Sequence, residues 1–133
     1  MDKALVQEVR IRAQSQCEYC RMPEGVRQLK FVIDHIIAQQ HHGPTVADNL
    51  ALCCGHCNLH KGPNIAGIDP ETKQVCQLFH PRRDLWHEHF RWNGPNLVGL
   101  TSAARATIDV LSIKDATQVM TRRALMREGV FPL

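Results

Sequence analysis

Aromatic residues are scarce in this chain: two tryptophans, one tyrosine and four phenylalanines make up 5% of 133 residues. A core short of large rings has less area to bury, so the cysteine-rich N-terminal half would gain from a metal staple. Long apolar runs are also missing. The longest is broken by Asp34-His35, which excludes a membrane-spanning helix. The opening Met1-Asp2-Lys3-Ala4 lacks the charged-then-apolar layout of a secretory leader, so a cytoplasmic protein is expected. Internal repeats and low-complexity tracts are absent as well. The charge excess is small, a formal +3, which permits nucleic-acid binding without demanding it.

What is present suits a soluble globular chain: 44% of residues are hydrophobic, enough for one core and one domain. Six cysteines stand out, four of them in two pairs of identical spacing, Cys17-x-x-Cys20 and Cys54-x-x-Cys57. In a reducing compartment such pairs are thiolate ligands rather than disulfides, and two of them complete the tetrahedral shell of a structural zinc. A redox role is disfavoured because no βαβ pattern surrounds either pair. Cys53 and Cys76 fall outside the pairs and read as small buried apolar residues.

Periodicity predicts a helix from Lys3 to about Gln14 and a strand over Leu29–Ile33 that ends at Asp34-His35. Ile36-Ile37-Ala38 either continues or returns that strand, and His41–Thr45 is an exposed loop. Asp48–Cys54 leads into a short helix that Gly62-Pro63 stops. Ile65–Phe79 reads as a hairpin turning at Asp69–Thr72, and Phe90–Trp92 pairs with Leu97-Val98 around Asn93-Gly94-Pro95-Asn96. Thr101 caps a helix reaching about Leu111, and a last helix opens at Lys114-Asp115 and stops at Gly129. The expected fold class is α+β.

Between the cysteine pairs lies a set of residues with chemistry of its own. Asp34 and His35 are adjacent at a strand end, so their side chains leave the backbone on opposite sides. A neutral imidazole takes a proton from water near neutral pH. A hard cation such as magnesium or manganese asks for a carboxylate and an amide oxygen, for which Asp34 and Asn58 are the candidates. Cys54, Cys57, Asn58 and Lys61 share one helical stripe, so the zinc would fix the helix that sets Asn58 opposite Asp34. Asn49, at the helix entrance, is expected to cap it and to brace the loop carrying His35. Lys61 is expected to meet a phosphate oxygen. Taken singly, each has a plain reading: surface polar residues, a helix cap, a solvated lysine. Their ordered occurrence inside the cysteine frame argues otherwise.

Cys17-x2-Cys20, Ile33-Asp34-His35-Ile36-Ile37, Asp48-Asn49-Leu50 and Cys54-x2-Cys57-Asn58-x2-Lys61-Gly62 together resemble the HNH endonuclease family, of the ββα-metal fold, over about residues 15–65. The resemblance implies His35 as general base, Asn49 as the loop-bracing asparagine, Asp34 and Asn58 as catalytic-metal ligands, and the four cysteines as the structural zinc site. Two departures stand out: Asn58 takes a place where the family often has histidine, and Ala38 and His42-Gly43 stand where it often has Pro and a Gly-Gly pair. His60 would face another side of the helix.

The C-terminal half carries no catalytic motif. Trp86 and Trp92 read as core, and His80, His87 and His89 as packing and surface residues. Arg82 and Arg83 are candidate phosphate contacts, whereas Arg122 and Arg123 read as a solvated helix face. The expectation is a zinc-stabilised core over 1–80 with a helical lead-in, and a mixed hairpin and helical extension over 81–133 packed on the same domain. The function implied is hydrolysis of DNA phosphodiester bonds with zinc and either magnesium or manganese. The alternative is a non-catalytic zinc-bound module that binds nucleic acid or protein.

Overall fold

The computed structural model describes residues 1–25 and 31–133. Its first helix, α1, spans Lys3–Ala13, capped by the Asp2 carboxylate, which accepts from the Ala4 amide at 2.8 Å. Its buried side, Val9 and Ala13, leads into the turn holding Cys17 and Cys20. Strand β1, Phe31–His35, pairs antiparallel with β2, Leu50–Cys54, in a register that sets Asp34 opposite Ala51 and His35 opposite Leu50. The expected strand start at Leu29-Lys30 lies outside the described residues. The return strand is 50–54 rather than 36–38. The chain leaves the ladder after His35, where the amide of Ile36 bonds the carbonyl of Asn49 at 2.8 Å.

β2 is buried along its whole length and runs straight into α2, Gly55–Lys61. Here Cys54 is the N-cap, its sulfur accepting from the Cys57 amide at 3.4 Å, so Asn49 does not cap this helix. Asn49 ends a 3-10 turn, Ala47–Asn49, just before β2. Helix α2 packs on both strands, which makes a ββα unit.

The remaining elements form a second layer. β3 (Ala66–Ile68) and β4 (Val75–Gln77) make one hairpin, and β5 (Phe90–Asn93) and β6 (Asn96–Gly99) make another, with the four-residue helix α3 (Trp86–His89) between them. Helix α4 (Ser102–Val110), capped by Thr101, lies on β3, β4 and β6; α5 (Ala116–Arg127), capped by Asp115, closes the chain. The approach of α4 to the hairpin is close enough that a Cβ at Gly67 would meet Val110 at 2.5 Å. Trp86 and Phe90 are buried, as a core reading requires, and Trp92 is half-buried with Phe131 edge-on to it at 5.0 Å.

One surface expectation fails. Arg122 is 1% exposed, not solvated: it donates to the carbonyls of Pro95 and Ile113 and lies over the Trp92 ring. Its length lets it cross the layer to carbonyls that no helix or strand satisfies. Arg123 is exposed, as expected. Among the described residues, no helix is long and apolar enough to cross a membrane.

Candidate active site

The four cysteine sulfurs of Cys17, Cys20, Cys54 and Cys57 lie within 4.8 Å of one another, all buried. Cys20 and Cys54, from opposite pairs, are 3.7 Å apart. Zinc–sulfur bonds of about 2.3 Å in a tetrahedron put the sulfurs about 3.8 Å apart, so the donor set and its spacing fit that ion. Burial works against ionising Cys17, yet hydrogen bonds from the surrounding thiols hold its pKa well below the usual thiol value. Cys53 is fully buried and Cys76 half-buried, each donating its S–H to a backbone carbonyl.

From this centre two side chains reach the same carboxylate. Tyr19, between Cys17 and Cys20, donates its hydroxyl to Asp34 Oδ2 at 2.8 Å. Lys61, one turn beyond Cys57, places its ammonium 3.1 Å from Oδ2 and 3.4 Å from Oδ1. Burial pushes the Asp34 carboxyl up from its ordinary value, against the opposing pull of Lys61 and Tyr19. Burial and the neighbouring carboxylate also push the Tyr19 phenol up, which keeps it a donor.

His35 turns to the other side of the strand, half-buried, with Nε2 2.9 Å from the Thr45 hydroxyl. The loop between them is closed by Asn49. This buried amide accepts from Ile37 N–H at 2.9 Å and donates to the carbonyls of Ile37 at 3.0 Å and Pro44 at 2.9 Å. Gly43 makes that closure possible, because any Cβ there would collide with the Ile37 carbonyl and the Asn49 amide. Asn49→Ala is therefore expected to lose about 2–4 kcal/mol from orphaned buried groups, read as a lower melting temperature and faster amide exchange at Ile37.

Two expected phosphate contacts do not fit their surroundings. Lys61 is 2% exposed, and besides Asp34 it donates to the carbonyls of His35 at 3.3 Å and Ile36 at 3.1 Å, leaving no donor for a substrate. Arg82 is ion-paired with Glu18, whose other oxygen accepts from the Leu52 amide at 2.8 Å, so it ties the extension to the cysteine turn. Arg83 is exposed and lines a cavity of about 280 Å³ with Ile36, Ile37, Asn64 and His80. It lies beside the residues that follow His35.

Asn58 shares a helix face with Lys61, three residues on, and its carboxamide makes no hydrogen bond among the described residues. Among the described residues, Asp34 Oδ1 has only the long contact to Lys61. Lys61 would compete with any cation for the Asp34 carboxylate. His60 instead bonds the carbonyl of His56 within α2, at 2.9 Å.

Tyr19, Thr45 and Glu18 were not singled out from the sequence. Only Tyr19 carried a signal, as the sole tyrosine and one enclosed by two ligand cysteines.

A ββα unit clamped by a four-thiol metal cluster, with Asp-His at its strand end, defines a class of nuclease-like domain. Residues 17–64 match the family model described as HNH endonuclease, and this segment of the chain is an HNH domain. No curated protein and no solved structure gives a match.

Proposed function

We propose that the protein is a metal-dependent endonuclease acting on DNA. His35 takes a proton from the attacking water, and Thr45 orients its imidazole. Asn49 holds the 37–44 loop so that the imidazole stays at the strand end. Asp34 and Asn58 would hold magnesium or manganese, which would supply positive charge to the scissile phosphate and the departing oxygen. The four cysteines hold zinc as a structural ion. Arg83, exposed beside the Ile36-Ile37 turn, contacts a backbone phosphate.

The observation that carries this reading is the docking of α2 on the end of β1. The Lys61 ammonium touches Asp34, His35 and Ile36, which docks α2 on the strand end, and Asn58, three residues earlier on that helix, makes no hydrogen bond among the described residues.

Purified protein with one zinc per chain is expected to cut plasmid DNA in magnesium or manganese. Cutting should stop in a chelator dose that leaves the zinc in place and return with added magnesium or manganese. Gel electrophoresis and metal analysis read both. Tight DNA binding with no cleavage under any divalent cation would leave a non-catalytic binding module.

A further inference from the structure

Lys61 is the least expected group near the site: a fully enclosed ammonium that the proposed chemistry does not use. Its three N–H bonds meet three acceptor groups, the Asp34 carboxylate and the main-chain carbonyls of His35 and Ile36. The strand ladder ends at His35, so the ammonium gathers the strand's last carbonyl and the one after it at the point where the chain leaves β1. Asp34 is held from the other side by the Tyr19 hydroxyl. Each half of the cysteine cluster therefore sends one side chain to Asp34: Tyr19 from the Cys17–Cys20 turn, Lys61 from the helix that begins at Cys54.

We propose that Lys61, with Tyr19 as its counterpart, is a positioning residue that transmits the rigidity of the four-cysteine centre to the Asp34-His35 strand end and makes no contact with substrate. The proposal rests on the endonuclease reading and deepens it. The physical reason is geometric. Lys61 fixes the backbone atoms on which the His35 ring is mounted, and a displacement of about 1 Å in a reacting group costs on the order of a hundredfold in rate. An exposed lysine on a phosphate acts differently, through affinity that falls with salt.

The test is Lys61→Met in the full zinc-loaded chain, with kcat, KM and the salt dependence of duplex DNA binding measured beside the unaltered protein. The expected result is a kcat lower by about 10- to 100-fold, with DNA affinity within about twofold and its salt slope unchanged. A salt slope shallower by about one, with weaker binding and kcat preserved, would show a phosphate contact and overturn the proposal. So would an unchanged kcat.

If Lys61→Met fails to retain zinc, Tyr19→Phe takes its place, since it removes only the hydroxyl and leaves the sulfurs alone. A several-fold loss in kcat at constant DNA affinity supports the proposal; unchanged kcat overturns it. A wild-type chain that never cuts DNA removes the endonuclease reading instead. In that case the NMR signals of the His35 ring and the amide exchange of Ile36 and Ile37 decide: if neither changes in the variant that retains zinc, the positioning role is wrong.

Discussion

Zinc removal, or Cys57→Ser, is expected to unfold the ββα unit rather than loosen it. The four cysteines join the turn after α1, the end of β2 and the first turn of α2, while the sheet between them has only two strands of five residues. A two-stranded sheet is marginal on its own. A structural zinc in small domains contributes apparent free energies of about 10–16 kcal/mol, as large as the whole stability of a typical domain. The loss therefore exceeds what Leu50, Leu52 and the other packed side chains of this layer can offset. Circular dichroism and thermal melting of metal-free protein should show lost secondary structure, restored by one equivalent of zinc. A metal-free chain that melts cooperatively at the same temperature would contradict this.

His35→Ala should instead abolish cleavage while sparing the fold. General-base catalysis is typically worth about 10²–10⁴ in rate, and Asp34, the neighbouring carboxylate, is engaged by Tyr19 and Lys61 on the opposite side. The imidazole is half-buried, and among the described residues its one side-chain partner is Thr45, so its loss should change stability by about 0.5–1.5 kcal/mol. Plasmid cleavage and a melt on the same preparation separate the two effects. Residual cutting within a few-fold of wild type would remove His35 from the base role.

The local elements were largely readable in the chain. Asp2, Thr101 and Asp115 cap their helices because a short oxygen side chain ahead of a helical run satisfies orphan amides. The Asn93–Asn96 connection joins β5 to β6 because its turn residues interrupt two apolar stretches. The cysteine cluster was readable for a similar reason, since a Cys-x-x-Cys turn is itself ligand geometry. The strand pairing was less so. Residues 36–38 are as apolar as a strand, but the partner of β1 was settled by Asn49, which binds the chain after His35 into a loop.

What the amino-acid sequence determined by itself is chemistry tied to spacing: two thiol pairs, an Asp-His dipeptide, an asparagine and a lysine on one helical stripe. Only the tertiary structure decided which charges meet water. Lys61, Arg82 and Arg122 look alike in sequence to any solvated cation, yet each is drawn inward by acceptors from distant segments: Asp34 and two carbonyls, Glu18, and the carbonyls of Pro95 and Ile113. Spacing along a chain specifies which residues share a face. Burial depends on what another segment packs against that face, and that follows from long-range contacts no local pattern encodes.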